Sequence, residues 1–394
     1  MDKKTPYLVL TTPVLLQGGT EYQMLSVIRS LREQSCRIGV LCYYEYDPEI
    51  IRLFQSCQTE VVLLNLERGG RHQLFYLFRL FLILFKWFRT HRPDIVNIQY
   101  LAPGLIPVFA ARLAGIRKIL ATIHISGHSQ YRQKEKVLVR LAAFITDHFI
   151  CVSQGTERFW FNSSHEFSSE TSLSGTKHFT IYNGIDSVKI HKLSSRISPE
   201  QIKKNKGIPE NQFVIGITGR LAAQKGHRIL FEAISLLTRR KKDFILLVIG
   251  NGPLEEELKE LAQKKNIGNH CYWLGGLPQE QVYQLYGILD LLVMPSLFEG
   301  FGLVAAEAMA AGVPVIASDV DGLSEIITHN QNGSLVRPED PNGLFNEIHS
   351  LIENETLRHQ YSKKGISTVR ARFDIEKFRL NWISLFLKLT SNDE

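Results

Sequence analysis

Short apolar runs alternate with segments of helical periodicity along almost the whole chain. In the first half the runs fall at residues 7–10, 38–43, 60–64, 95–98, 118–123, 148–152 and 180–182, and helical spacing, as at 21–33, separates most of them. A strand covered on both faces has no polar side, so it reads as a continuous apolar run. Alternation of such runs with helices predicts a mostly parallel sheet with helices on both faces. The regularity lapses after residue 186, through "SVKIHKLSSRISPEQIKKNKGIPENQ". A second series begins at 213–218, 244–249, 271–274, 291–294 and 313–317. The pattern predicts two open α/β domains, 1–187 and 212–375, joined by a linker at 188–211. An amphipathic helix over about 376–394 is expected to dock back, with the first domain as a candidate host. Ligands of such sheets bind outside the carboxyl ends of the strands, so the expected site is the cleft between the two domains.

Two segments depart from the alternation. "FNSSHEFSSETSLSGTKH", 161–178, is rich in Ser and polar residues and reads as an exposed, mobile excursion. "FYLFRLFLILFKWF", 75–88, is the most apolar stretch. It is short of the ~20 residues that span a bilayer. Arg79 and Lys86 lie seven residues apart and share a helix face, while Arg71, His72, Arg89, His91 and Arg92 flank the run. One reading is a buried helix whose two charges mark its solvent stripe. The other is a basic, aromatic helix making peripheral contact with an anionic membrane through 71–92.

Composition narrows the class. The 394 residues are 44% hydrophobic and 22% charged, enough apolar material for two globular cores. A net charge of +7, spread over the chain, suits an anionic small molecule, an anionic membrane or nucleic acid without choosing between them. No aromatic–basic stacking motif appears, so nucleic acid is not an expected partner. The five cysteines are odd in number and contain no CxxC pair, which argues against a disulfide framework or a cysteine zinc cluster and for a reducing, cytoplasmic setting. The N-terminal apolar run is broken by Thr11, Thr12 and Pro13, and reads as a first buried strand rather than a signal peptide.

Candidate chemistry sits at the predicted strand ends. In "PSLFEGFGLVAAEAMAAGVPVIASD", 295–319, a loop with Gly300 and Gly302 precedes a helix at 303–311. A helix start favours an anion or hydroxyl oxygens. Glu299 precedes the helix and Glu307 lies about one turn inside it. A carboxylate can accept from two vicinal hydroxyls, so the pair suits a ligand with both phosphate and sugar hydroxyls, a nucleotide sugar. The alternative is a capping carboxylate and an ordinary helix-surface glutamate. In "GITGRLAAQKG", Arg220 and Lys225 are placed for a diphosphate, or are two solvated loop charges. Gly18 and Gly19 form a turn after the first strand that could bring backbone N–H groups to a phosphate. Gly250 in "VIGNGP" marks another strand-end turn. His124 ends a strand in "LATIHISGH", where it could hydrogen-bond a sugar hydroxyl or serve as a structural histidine. His128 is four residues on, but at a strand end and not along a helix, so no metal pair is expected.

The spacing of Glu299 and Glu307, with "GRLAAQKG" upstream, "IYNGID" at 181–186 and the Gly-Gly turn, resembles the retaining glycosyltransferases of family 4 (glycosyl transferases group 1). The likeness runs from residue 8 to about 340 and is most specific over 213–327. It implies the GT-B fold, two Rossmann-like domains with parallel sheets facing across a cleft. By that resemblance Glu307 holds the donor ribose and Arg220 and Lys225 neutralise the diphosphate leaving group. Glu299 and the backbone of Phe301, Gly302 and Leu303 hold the donor sugar, and backbone near Gly250 and Leu274 meets the base. Gly18 and Gly19 touch the phosphates or sugar from the first domain, and His124 lies near the transferring sugar. The implied reaction moves a sugar, with retention, from a nucleotide-diphosphate sugar, UDP favoured, to a glycan, lipid-linked or other hydroxyl acceptor. That implies cell-envelope polysaccharide or glycolipid synthesis at the cytoplasmic face of the membrane. No cofactor and no essential metal is expected, and no DxD-like pair stands out as a metal site. An epimerase or hydrolase of the same fold and a non-catalytic sugar-nucleotide-binding subunit are the alternatives. The Ser-rich excursion departs from the family pattern.

Overall fold

The apolar runs form parallel strands. A computed structural model of the chain describes residues 5–68, 73–99, 104–126, 133–240 and 243–391. Its contacts divide the chain into Met1–Gly184 with Glu376–Glu394, and Ile185–Ile375. The first domain carries β1 (Tyr7–Thr12), α1 (Gly19–Leu31), β2 (Arg37–Cys42), α2 (Pro48–Ser56), β3 (Glu60–Leu63), α3 (Gln73–His91) and β4 (Ile95–Gln99). It continues with α4 (Leu105–Leu113), β5 (Lys118–Ile123), α5 (Gln133–Ile145), β6 (His148–Cys151), α6 (Gln154–Phe161) and β7 (His178–Thr180). The second opens with α7 (Ser187–Ser194) and α8 (Pro199–Asn205), within the segment expected to be a linker. Asp186 and Ser198 cap these two helices by accepting from Lys189 N and Gln201 N. Then follow β8 (Phe213–Thr218), α9 (His227–Thr238), β9 (Phe244–Ile249), α10 (Glu255–Lys264), β10 (Cys271–Gly275), α11 (Gln279–Tyr286) and β11 (Leu291–Met294). The domain ends with α12 (Leu303–Ala310), β12 (Val315–Ser318), α13 (Leu323–Ile326), β13 (Ser334–Val336), α14 (Pro341–Glu353) and α15 (Glu355–Arg372). The final helix is α16 (Ile375–Ser391).

Among the described residues, the first sheet has seven strands in the order β3-β2-β1-β4-β5-β6-β7, and the second has six in the order β10-β9-β8-β11-β12-β13. All the ladders between these strands are parallel. In each sheet the chain first winds one way and then, at the fourth strand, the other. The switch points therefore fall between β1 and β4 and between β8 and β11, and the carboxyl ends of those strands are where open sheets of this kind bind ligands. Every residue of β1, β4 and β9 is buried, the two-sided covering that made these strands legible as unbroken runs.

In the first domain Val9, Val96 and Ile119 of the sheet pack in one core with Leu84, Trp87 and Phe88 of α3 and with Val108 and Ala111 of α4. In the second, Ile217 and Leu246 pack with Leu230 and Ile234 of α9 and Leu344 and Ile348 of α14. The excursion at 161–178 is tied down, contrary to expectation. Residue 166 bridges Thr180, Phe167 N donates to Thr180 O at 2.8 Å, and Thr180 N to His165 O at 2.8 Å. Helix α16 secures the same segment, with Lys377 Nζ 2.8 Å from Glu166 Oε1 and Lys388 Nζ 3.0 Å from Thr171 O. No helix among the described residues is long and apolar enough to cross a membrane.

Candidate functional site

The loops after β8 and β11 flank the switch point of the second sheet, and they are joined to each other. After β8 the chain passes Gly219, Arg220 and a short 3-10 turn, Ala223–Lys225, before α9. Gly226 sits between turn and helix at φ +67, and a Cβ there would lie 1.9 Å from Pro295 O on the β11 loop. Only a residue without a side chain allows so close an approach at that backbone angle. Leu297 N donates to Gln224 O at 2.8 Å, and Gln224 Nε2 to Phe298 O at 3.0 Å. Across this seam Lys225 Nζ lies 2.6 Å from Glu299 Oε2, both side chains mostly buried, at 21% and 15% exposure. Ser296 Oγ donates to the same oxygen at 3.4 Å. The pairing holds the ammonium in one place, and a cation fixed in advance is worth more to a developing anion than a mobile one. Arg220 is exposed on the same loop. At the end of β8, the Thr218 hydroxyl is buried with no hydrogen-bond partner among the described residues.

The neighbouring strand ends continue this rim. Gly250, at φ +135, approaches Gly219 so closely that a Cβ would lie 2.0 Å from Gly219 O, and its N–H donates to Gly275 O at 2.8 Å. Leu221 N donates to Asn251 O at 2.9 Å. Leu274, half-buried in β10, therefore stands one strand beyond Gly250. On the other side Phe301 turns its ring inward onto Phe373, 5.3 Å between centroids at 76°, which fixes the backbone entering α12. Gly302 is the N-cap of that helix and Leu303 its first residue.

Glu307, on α12, is buried at 8% exposure. It accepts from Tyr283 Oη at 2.9 Å, Gln279 Nε2 at 3.2 Å and Tyr286 Oη at 3.3 Å. Burial pushes its carboxyl up to about 7, against the lowering effect of those three donors. It is therefore poised between its protonated and ionised forms near neutrality, an uncommon state that clusters at binding sites. His227, at the start of α9, is buried with both ring nitrogens unpartnered among the described residues, and burial and Lys225 hold it down to about 4.

In the first domain the sequence candidates also lie at carboxyl strand ends. Gly18 caps α1, and a Cβ there would lie 2.8 Å from Glu21 Oε2. Glu21 is itself buried and accepts from Leu16 N at 3.2 Å, and burial pushes its carboxyl up to about 7. The carboxylate is thus part of the Gly18–Gly19 turn, a role that nothing in the spacing of "QGGTEYQ" marks. His124 follows β5 and lies with Nε2 2.6 Å from Oε1 of Gln99, the last residue of β4. Burial holds His124 down to about 4, so it is neutral; with Nε2 carrying the proton toward Gln99, Nδ1 is the acceptor nitrogen. The pairing of Gln99 with His124 depends on β4 and β5 being neighbours in the sheet. His128 lies outside the described residues, as do Arg71 and His72.

Helix α3 has two faces. Leu80, Leu84, Trp87 and Phe88 are buried, whereas Phe75, Phe78 and Leu82 are exposed beside Arg79 and Lys86. Phe75 is 71% exposed. The stripe expected to hold only charges therefore carries three large apolar side chains. Helix α4 packs against both α3 and α5 and adds Phe109 and Leu113; α5 adds Leu138, Leu141 and Phe144, the last 79% exposed. Three neighbouring helices thus carry exposed large apolar side chains.

Known proteins share this architecture. The description "Glycosyl transferases group 1" matches residues 198–368, and "Glycosyltransferase Family 4" matches residues 17–188. An uncharacterized glycosyltransferase of Methanocaldococcus jannaschii is 30% identical over 276 residues, 69% of each chain. A second from that organism is 34% identical over 164 residues, and this match spans only 42% of each chain. The UDP-Gal:alpha-D-GlcNAc-diphosphoundecaprenol alpha-1,3-galactosyltransferase of Escherichia coli is 26% identical over 284 residues, 70% of each chain. Among solved structures, HepE of Anabaena in complex with UDP and glucose superposes with a TM-score of 0.78 at 20% identity, over 98% of this chain and 100% of that one.

Proposed function

Because the chain belongs to the family 4, group 1 glycosyltransferases and has their GT-B fold, we propose that it moves a sugar from a nucleoside-diphosphate sugar to a hydroxyl acceptor with retention. One observation carries this reading: Lys225 and Glu299, from the two loops at the switch point of the second sheet, are paired at 2.6 Å beside the start of α12. A helix start and an ordered ammonium together suit the diphosphate of the donor. In the reaction the bond from anomeric carbon to phosphate oxygen breaks and the acceptor oxygen bonds the same face of that carbon. The acceptor's proton passes to the departing phosphate. Negative charge grows on the diphosphate, and Lys225 and Arg220 favour the transition state over the ground state. Glu299 orients Lys225 and the donor sugar and needs no covalent role. Glu307 takes the ribose hydroxyls by exchanging its contacts with Gln279 and Tyr283. Gly250 and Leu274 meet the base, and Gly18, Gly19 and His124 are the groups of the first domain. No divalent metal is assigned to the leaving group.

UDP is the proposed nucleotide. HepE was solved with UDP and glucose, and the Escherichia coli relative carries UDP-Gal in its name. The proposed acceptor is carried on lipid, for two reasons. That relative's name specifies a diphosphoundecaprenol acceptor, and helices α3 to α5 present apolar side chains among Arg79, Lys86 and Arg140. We infer that this face rests on an anionic membrane, where amphipathic basic helices bury their apolar side at the headgroup boundary. Thermal-shift screening against nucleoside diphosphates and nucleotide sugars tests the donor assignment. A ligand at 100 times its Kd adds ~2.7 kcal/mol, so UDP should raise the midpoint. Equal shifts with every nucleotide, or none, would reject the assignment.

A further inference from the structure

The Ser-rich excursion encloses a cluster that sugar transfer does not use. Glu157 lies on α6, wholly buried at 0% exposure. His178 opens β7, and its Nδ1 lies 2.6 Å from Glu157 Oε1. His165 is exposed on the excursion, with Nδ1 3.8 Å from the same oxygen. The three donor atoms all fall within 4.8 Å of one another. We propose that Glu157, His165 and His178 bind one divalent first-row transition-metal ion, with zinc the best-suited, and that the ion clamps the excursion onto β7.

The chemistry of the donors fits. One carboxylate oxygen and two imidazole nitrogens are borderline ligands that suit zinc and its neighbours and not calcium or magnesium. The surroundings already orient them. Glu157 Oε2 accepts from Thr180 Oγ1 at 2.7 Å and from His165 N at 3.1 Å, which leaves Oε1 turned toward the two rings. Outer hydrogen bonds of this kind fix a metal-binding carboxylate. The His178 ring is stacked on Phe161, 4.3 Å between centroids at 8°. The backbone of His165 is held to Thr180, so only its exposed ring has to turn inward.

Metal–ligand bonds of about 2.0–2.1 Å in a tetrahedral site separate the donor atoms by about 3.3 Å. Entry of the ion therefore opens the 2.6 Å contact and closes the 3.8 Å one. The proton between His178 Nδ1 and Glu157 moves to Nε2 as the ring changes tautomer, so no net proton is lost from a neutral histidine. Water completes the fourth position on the solvent side. The cluster belongs to the first domain and is independent of the proposed donor site in the second.

Full-length protein freed of metal is titrated with zinc against a chromophoric chelator, and with cobalt while its visible d–d bands are followed. One equivalent should bind, with a tetrahedral cobalt spectrum and slower proteolysis within 168–177. His178→Ala should abolish the spectrum. His165→Ala, an exposed position that leaves the fold intact, should weaken binding severalfold or more. Thr180→Val should cost roughly 10–100-fold in affinity, the usual effect of removing an outer-shell hydrogen bond. No binding by the wild type, or stoichiometric binding that both histidine variants retain, would overturn the proposal.

Discussion

Lys225 Nζ lies 2.6 Å from Glu299 Oε2, although the two residues come from loops 74 positions apart in the chain. The pair exists because β8 and β11 are adjacent, so the loop that follows each strand starts from the same edge of the sheet. The contact places one fixed cation at the switch point of the second sheet.

Lys225→Ala is therefore expected to slow turnover more than it weakens binding of intact donor. Loss of one fixed donor to a developing anion typically lowers kcat by ~10²–10³. Glu299→Gln should lower kcat by less, and the double variant should fall short of the sum, because the two side chains are in contact. Steady-state kinetics on the four proteins measures this; a raised KM at unchanged kcat would remove Lys225 from the leaving group.

The carboxyl of Glu307 titrates near 7 in the folded protein, against 4.5 for an ordinary glutamate. Two consequences follow with definite sign. Between those values the folded state holds a proton that the unfolded chain has released, so this carboxyl's contribution to stability falls as pH rises through the window. Glu21 contributes in the same direction, which makes ligand binding the cleaner readout. Ribose hydroxyls donate more strongly to an ionised carboxylate. UDP affinity should therefore rise as pH climbs through about 7, and calorimetry on Glu307→Gln should show a flatter profile and weaker binding. Identical profiles for the two proteins would take Glu307 out of the ribose site.

Gly226→Ala tests the seam between the two loops. The new Cβ would meet Pro295 O at 1.9 Å with the backbone at φ +67. Strain of that kind costs about 1–3 kcal/mol before the clash is counted, so chemical denaturation should show a loss of at least that size. Unchanged stability would mean that the loops are not held together as described.

The strands were legible in the sequence because burial on both faces leaves only apolar positions, as in "FILLVI" of β9. So was the spacing of Glu299 and Glu307, which a short loop and one turn of helix carry with them. The Ser-rich excursion read as mobile because its anchors, Glu157 and the distant Lys377 and Lys388, come from other helices. Helices α7 and α8 were missed since each is short and polar, and β13 since three residues carry no periodicity. The partners of the candidate residues were also hidden. Gln99 beside His124 and Tyr283 beside Glu307 are brought together by which elements are neighbours, a property that no local pattern records.

The exposed face of α3 to α5 gives the membrane inference a direct check. Each cation near an anionic surface contributes ~1 kcal/mol. Replacing Arg79 and Lys86 with Glu should abolish flotation with anionic vesicles at low salt, and high salt should do the same to the wild type. A wild type that never floats, or a folded double variant that floats as well, would favour a soluble acceptor.

Turnover with an acceptor is the most direct measurement of all. Purified protein is incubated with UDP-sugars, with and without a lipid extract bearing diphosphate-linked sugars, and UDP release and product mass are followed together. UDP release that requires the extract, with the lipid gaining one sugar whose anomeric configuration by NMR matches the donor, is the expected result. Release at the same rate without the extract, a donor returned as its epimer, or an inverted product would contradict it.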